Sequence, residues 1–303
     1  MRKRGWWMGL TLLACAPAMA GCPPMGQDRA SLEALKSSGF AVADPDGKRA
    51  LAMGLVECLG DPDPTLRDGI AYEALQHWMR AGDFDVAAVR GLRDALLARL
   101  DAADPHGVSR PFAALVLAEV ARTDRIAPWM SPAEREAMLA RATAYLASVR
   151  DYRGFEAGIG WRHGVAHGAD WLLQLSLNPA LESVQLQRVL DAVALQAVPA
   201  SGHAYVFGEA GRLAQPVAYV ARRGLLPEAA WQAWLDGLVA RLGPMPPGGD
   251  AAWLARRHDL TAFLLALYLQ SDTSQNEALR ALKPAIAKAL AAQPSLEALL
   301  ATC

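Results

Sequence analysis

The residues best able to do chemistry lie between positions 151 and 171, in the segment DYRGFEAGIGWRHGVAHGADW. His163, His167 and Asp170 are spaced four and three residues apart, so on one α-helix they would share a face over two turns. Two imidazoles and a carboxylate on one face can bind a divalent metal ion, or form an acid–base pair with an orienting Asp. The zinc-protease motif has a Glu directly after its first His, whereas Gly164 stands here.

Three glycines accompany this cluster. Gly160, Gly164 and Gly168 recur every four residues, and a glycine inside a helix costs about 1 kcal/mol relative to alanine. Close approach of another helix, or room for a ligand beside the histidines, would offset that cost. Glu156 is a further candidate acid and Trp161 a candidate binding residue. A structural hydrogen-bond network in a tightly packed central helix remains the competing interpretation.

A second polar group begins at a predicted helix start, where Asp63 precedes Pro64. Asp68 and Tyr72 follow four residues apart and would share a face of that helix. They are candidate binding residues that would line the same cavity as the histidines. The alternative is a helix cap followed by a buried bond between Arg67 and Asp68.

The segment His203 to Phe207 (HAYVF) lies between two glycines and is the best strand candidate in the chain. It could equally be an extended loop. His203 and Tyr205 are candidate binding residues there, because a loop over the mouth of a cavity is a common place for function.

The elements that must position these residues are predicted to be helices almost throughout, because apolar residues recur at helical spacing. Ser131 and Glu134 form a capping-box pattern around Pro132, and Gly82, Gly224 and Gly243 stand where helices should end. The predicted helices span 28–38, 46–59, 64–81, 85–101, 109–123, 131–149, 160–176, 181–197, 210–223, 227–241, 250–271, 275–291 and 294–301.

This pattern predicts an all-α fold of paired antiparallel helices, arranged as an open HEAT-like α-solenoid or as a closed α/α toroid. Residues 21–303 would form a single helical domain. The Pro- and Gly-rich stretch 243–249 is either a hinge before a C-terminal piece or a rigid surface loop.

The first 20 residues resemble a signal peptide. Arg2, Lys3 and Arg4 precede an apolar stretch of about ten residues, and Ala18-Met19-Ala20 offers a cleavage site near Ala20. That stretch is about half as long as a membrane-spanning helix, and no later segment is long and apolar enough to span a membrane. We therefore predict a periplasmic or secreted protein. Removing the segment changes the formal net charge from −1 to −4.

The cysteines allow an alternative to the periplasmic or secreted location. Cys15 and Cys22 each end a segment that resembles a lipobox, so a lipid anchor through either one is the alternative location. After ordinary cleavage, Cys22, Cys58 and Cys303 remain as disulfide candidates, and the sequence leaves their pairing open.

Composition and motifs exclude several classes of function. The chain has 30 basic and 31 acidic residues, so it lacks the basic excess of a nucleic-acid-binding protein. The sequence contains no phosphate-binding loop and no Gly-x-Ser-x-Gly elbow. We predict no cofactor, with a divalent metal at His163, His167 and Asp170 as the alternative. The oligomeric state stays open.

Three sequence blocks resemble landmarks of the bacterial domain-of-unknown-function family 2785. They are DPTLRDGIAY at 63–72, DYRGF at 151–155, and GWRHGVAHGAD at 160–170. The last block is the most specific, and the likeness extends from about residue 30 to residue 290. The resemblance implies an α-helical fold and supplies no reaction.

The first functional hypothesis is a binding or scaffold module that holds a cell-envelope peptide or glycan in a concave pocket lined by His and Asp. The second is a hydrolase or lyase that acts on such a polymer. In it, His163 or His167 serves as base and Asp170 or Glu156 as orienter or acid, with or without a metal. The third is a purely structural helical protein.

Overall fold

A computed structural model describes residues 21–247 and 249–294. The predicted signal segment with Cys15, the disulfide candidate Cys303 and all but the first residue of the predicted helix 294–301 lie outside these residues. Within them the fold is all-α, as the helical spacing predicts.

The helical elements follow the predicted spans closely. A short helix, a π-helical segment (Arg67–Tyr72) and α4 run on without a break. The bounds are α1 Arg29–Ser37, α2 Pro45–Cys58, α3 Pro64–Leu66, α4 Glu73–Ala81, α5 Val86–Asp101, α6 Ser109–Ile126, α7 Pro132–Ser148, α8 Gly164–Ser176, α9 Ser183–Ala197, α10 Glu209–Arg222, α11 Glu228–Leu242, α12 Ala251–Thr273, α13 Glu277–Ala281 and α14 Lys283–Ala291.

The predicted helix ends agree with the structure. The side chain of Asp63 accepts a hydrogen bond from the backbone N–H of Thr65, and Ser131 and Glu134 form the reciprocal bonds of a capping box. Gly82 ends α4 with a φ of +77°, a left-handed conformation that glycine adopts without steric cost. These local signals work because the orphan N–H and C=O groups at helix ends must find partners.

The helices pack in two rows. In one row α4, α6, α8, α10 and α12 each contact the next, and in the other α2 contacts α5 and α7 contacts α9. The pairs α5–α6, α7–α8, α9–α10 and α11–α12 join the rows. One cluster of buried apolar side chains runs through both rows, from Leu32 to Ala289.

The structure decides one open alternative and corrects one expectation about local structure. The segment 203–207 is irregular, and a two-stranded antiparallel hairpin stands earlier instead, with β1 at Phe155–Glu156 and β2 at Gly160–Trp161. The helix expected to begin at residue 160 begins at Gly164. Gly160 has a φ of +80° and therefore belongs to the hairpin, where a left-handed backbone is needed.

Cys22 and Cys58 are joined by a disulfide that ties the segment before α1 to the end of α2. Such a link stabilises a fold mainly by restricting the unfolded chain. Within the described residues, no helix combines the length and apolar character that crossing a bilayer requires.

Candidate functional site

The loop before α8 is held in place by a buried arginine. Arg67 is fully buried, and its Nη2 donates to the carbonyl of Ile159 at 2.6 Å while Nη1 donates to that of Asp61 at 3.0 Å. Its guanidinium also lies 4.8 Å from the ring centre of Phe112. Arg67 therefore attaches the β1–β2 hairpin to the start of the π-helical segment.

Asp68 and Tyr72 lie in that π-helical segment. Asp68 forms an ion pair with Arg67 at 2.6 Å, and burial nevertheless raises the pKa of this carboxyl. Burial, helped by the charge of Glu119, raises the pKa of Tyr72 to about 12, so the phenol stays protonated at neutral pH. The charges of Asp170 and Arg212 also act on Tyr72.

His163 is the N-cap of α8, in a left-handed conformation with a φ of +52°. Its Nε2 donates to the carbonyl of Phe207 at 3.1 Å, and its ring stacks on Trp161 with 4.3 Å between ring centres. Burial lowers the pKa of His163 below 6.5, although the nearby carboxylate of Glu209 acts in the opposite direction. The neutral, buried ring of His163 therefore helps to hold Trp161 and Phe207 in place.

His167 is buried one turn further along α8. Its Nδ1 lies 3.2 Å from the carbonyl oxygen of Pro111, and because a carbonyl only accepts, Nδ1 carries the proton. Burial lowers the pKa of His167 to about 3, and the charges of His163 and Arg212 add to that effect. His167 is therefore neutral at pH 7 and a weak base.

Asp170 does not join the two histidines. Both of its carboxylate oxygens pair with Arg212 of α10, and burial raises the pKa of Asp170 against the effect of that arginine. The ring centres of His163 and His167 are 6.0 Å apart. Among the described residues, no group of three or more His, Cys, Asp or Glu side chains is arranged to hold a metal ion.

The other sequence-predicted residues lie around this centre without converging on it. Glu156 accepts hydrogen bonds from Arg162, at 3.0 Å from its Nε. Tyr205 is buried, and its backbone N–H donates to Asp259 at 2.7 Å. The ring of His203 stacks on that of Tyr152, 5.5 Å away. Tyr205 is thus packed into the protein, whereas Val206 and Phe207 of the same segment are exposed.

Helix packing explains one of the two glycines of α8. A Cβ on Gly168 would lie 3.0 Å from Leu146 Cδ1 and 3.1 Å from the ring of Tyr145, and one on Gly164 would lie 3.4 Å from Val149. Of the two explanations that the sequence left open, close approach of a neighbouring helix, α7, accounts for Gly168. At Gly164 an added Cβ would make ordinary contacts, and this residue lines a cavity.

Three aromatic side chains form an exposed cluster, here called the aromatic platform: Phe155, Trp161 and Phe207. Their exposed fractions are 51%, 39% and 37%. The ring centres of Phe155 and Trp161 are 5.2 Å apart, and those of Trp161 and Phe207 are 6.1 Å apart. Sequence reasoning identified only Trp161, because nothing in the spacing of 155, 161 and 207 shows that they meet.

A cavity of about 470 Å³ lies on the other side of α8, between α5, α6 and α7. None of the sequence-predicted site residues lines it. Its charged lining residues are far apart in sequence: Asp101, Asp104, Arg110, Arg141, Arg150 and Asp151. Only the tertiary structure could have identified this group.

Comparison with known proteins gives one match. A family model described as "Protein of unknown function (DUF2785)" matches residues 96–269, which includes the cavity, the aromatic platform and α8. The block at 63–72 lies outside that match. No curated protein and no solved structure matches the chain. Because the family model matches more than half of the residues, the chain belongs to the DUF2785 family.

Proposed function

We propose that this protein is a binding module of the bacterial cell envelope and that it holds a glycan on its aromatic platform. The observation that most supports this proposal is the exposure of Phe155, Trp161 and Phe207 in one cluster. Exposed contiguous apolar groups on a folded protein mark interaction sites. Aromatic faces carry negative charge density, which attracts the C–H groups on the flat face of a sugar ring.

The platform is rigid, which favours binding because little entropy is lost when a ligand arrives. Trp161 is backed by the ring of His163, and His163 is fixed in turn by its bond to the carbonyl of Phe207. The hairpin beneath is fixed by buried Arg67. In this proposal His163 and His167 position the platform and do not react.

Polar groups near the platform supply hydrogen bonds for sugar hydroxyls. Asp68 is partly exposed, and a Cβ on Gly160, the neighbour of Trp161, would lie 3.7 Å from its Oδ2. Arg212, which pairs with Asp170, has a side chain that is 44% exposed. Charge-assisted hydrogen bonds from such groups fix the orientation of a polar ligand.

The envelope location rests on the signal-like N-terminus and on cysteine pairing. Disulfides persist in the periplasm and outside the cell. The bond between Cys22 and Cys58 uses the thiol that a lipid anchor at Cys22 would need, so it favours release after cleavage near Ala20. Mass spectrometry of the exported chain tests this: a lipid adduct on Cys22 would contradict it.

The two helical rows support the open α-solenoid over the closed toroid. The ends of the first row, α4 and α12, pack extensively against their own neighbours in the row rather than against each other. Stacked units of this kind bury a continuous core while keeping two ends.

Binding to purified envelope polymers tests the function. We expect peptide-free glycan strands of peptidoglycan to bind, and the Trp161→Ala variant to bind at least tenfold more weakly. The exposed Leu269, 62% exposed on α12, provides the control variant Leu269→Ala, which should bind as the parent does. Unchanged glycan binding by Trp161→Ala would overturn the proposal. Binding of free stem peptides alone would favour the peptide alternative.

The hydrolase or lyase alternative has weaker support from the geometry. Each candidate group has a partner within the protein, namely a carbonyl for each histidine and Arg212 for Asp170. A glycan- or peptide-cleavage assay on the purified chain, with His163→Gln as comparison, tests it. Metal analysis combined with thermal unfolding in added Zn²⁺ or Mn²⁺ tests the metal-dependent form.

A further inference from the structure

The cavity between α5, α6 and α7 has the dimensions and lining of a small-molecule site. Its volume of about 470 Å³ lies within the usual range of ligand pockets, roughly 300–1,000 Å³. One part of the wall is apolar, from Leu100, Pro111, Tyr145 and Val149, and another part carries aspartates and arginines. A pocket with both characters selects ligands that have an apolar or ring portion and a charged group.

The carboxylates that line the cavity already have partners. Asp104 accepts hydrogen bonds from the backbone N–H groups at the start of α6, including that of Ser109 at 3.1 Å. Asp101 pairs with Arg141 at 2.7 Å. Asp151 pairs with Arg153, which stands outside the cavity, through Nε at 2.8 Å.

Two of the lining arginines have no such partner. Arg110 donates to the carbonyl of Ala102 at 2.9 Å, and Arg150 donates to the carbonyls of Ala147 and Val149. Within the described part of the chain, neither guanidinium forms an ion pair with a carboxylate. The lining carries three arginines and three aspartates, and Arg110 and Arg150 are the two of these arginines without a carboxylate partner.

A third arginine lies directly behind the cavity wall. Arg162 is only 5% exposed, and its Nη1 has no hydrogen-bond partner among the described residues. A Cβ on Gly107, which lines the cavity, would lie 3.1 Å from that Nη1. The same Cβ position would lie 2.7 Å from Asp151 Oδ2, so a carboxylate oxygen and the guanidinium stand side by side at this edge of the cavity.

We propose that this cavity is a second binding site, separate from the aromatic platform, for a small ligand that carries a carboxylate. Arg110 and Arg150 bind the carboxylate, and the apolar wall around Tyr145 receives the rest of the molecule. Two sources offer this chemistry in a cell envelope: a sugar acid, and the C-terminus of a short peptide.

Two matched ligand pairs test the charge requirement on the purified chain by calorimetric titration. N-acetylmuramic acid is compared with N-acetylglucosamine, which lacks the carboxylate, and D-alanyl-D-alanine with its C-terminal amide. We expect the acid of one pair to bind at least tenfold more tightly than its neutral counterpart, and that pair identifies the source. Equal binding within both pairs, or no binding of either acid at millimolar concentration, would overturn the proposal.

Variants locate the binding within the molecule. The double variant Arg110→Gln and Arg150→Gln should lose at least tenfold in affinity, and the control Arg188→Gln on α9, whose guanidinium pairs with Glu136, should lose nothing. Ala144 is exposed on α7 and lines the cavity, so Ala144→Trp should block the site without disturbing the core. Retained binding by a folded Ala144→Trp variant would place the ligand elsewhere, and loss of binding in Trp161→Ala would place it on the platform.

Discussion

The two faces of α8 differ in what their residues contact. The face toward α6 and α10 carries His167 and Asp170, each bound to a partner inside the protein, the Pro111 carbonyl and Arg212. The face toward α7 carries Gly164 and Gly168 and packs against the ring of Tyr145 and its neighbours. The accessible surfaces lie at the aromatic platform and at the cavity, which Gly164 helps to line.

This difference shows why a dense polar motif need not be a reactive site. A buried imidazole or carboxylate must have hydrogen-bond partners to offset the loss of water. One ring nitrogen of each histidine donates to a carbonyl and Asp170 pairs with Arg212, so these groups contribute bonds that hold the fold together. The groups that remain available to a ligand are the less conspicuous ones, such as Trp161 and Arg110.

The largest expected effect comes from removing the arginine that anchors the hairpin. Arg67→Met leaves the carbonyls of Ile159 and Asp61 without their donor and Asp68 without its ion pair. We expect a loss of about 3–5 kcal/mol in the free energy of unfolding, measured by urea denaturation. Arg29→Met, which removes an exposed ion pair with Asp63, should change little. Equal effects of the two variants would contradict the anchoring role.

The next largest effect on the free energy of unfolding is expected at Gly168, on the face of α8 that packs against α7. Gly168→Leu forces a side chain into the space of Leu146 and Tyr145, so we expect a loss of about 1–3 kcal/mol in the free energy of unfolding. Gly237 lies in α11 with open space around its Cβ position, so Gly237→Ala should stabilise by about 0.5–1 kcal/mol. A stabilising Gly168→Leu would show that α7 and α8 are not closely packed.

The buried His167 makes the stability of the fold depend on pH. Burial lowers the pKa of His167 from 6.5 to about 3, so the unfolded chain binds the proton more readily. The free energy of unfolding should therefore fall as the pH decreases from about 6.5 toward 3, by at most about 1.4 kcal/mol per pH unit. The charges of Arg67, Arg212 and His163 oppose protonation of this ring and add to the effect.

The variant His167→Gln separates the contribution of His167 to this pH dependence from that of other titrating groups. Burial raises the pKa of Asp259 to about 6, which makes stability fall with rising pH in part of the same range. His167→Gln keeps a donor for the Pro111 carbonyl and removes the titration. Between pH 7.5 and pH 5.0 the parent should lose about 1–2 kcal/mol more than this variant. Identical losses in urea denaturation would show that His167 is not buried in neutral form.

The smallest effect on stability is expected at the aromatic platform. Phe155 is 51% exposed, so Phe155→Ala should change the free energy of unfolding by no more than about 0.5 kcal/mol. The same variant should weaken binding to glycan strands, because it removes one ring of the platform. Weakened folding without any change in binding would mean that the platform is part of the core.

The signals that predicted the fold were local. The apolar spacing along α5 and α7, the cap at Asp63 and the capping box at Ser131 depend only on residues a few positions apart. The family resemblance is confirmed by the match to residues 96–269. The start of α8 was placed too early because Gly160 and Trp161 belong to a hairpin, and Arg67, 92 residues before Ile159, holds that hairpin in place.

By itself, the sequence determined that the chain is helical, where most of its helices begin and end, and which cluster of polar residues to test. Only the tertiary structure decided that these polar residues are bound internally and that Phe155 and Phe207 join Trp161. It also decided that Arg110 and Arg150 share a cavity with the wall of α7. The physical reason is the distance along the chain over which each property is set. Helix formation and capping depend on residues within a turn or two, whereas burial and charge pairing depend on residues brought together from distant parts of the chain.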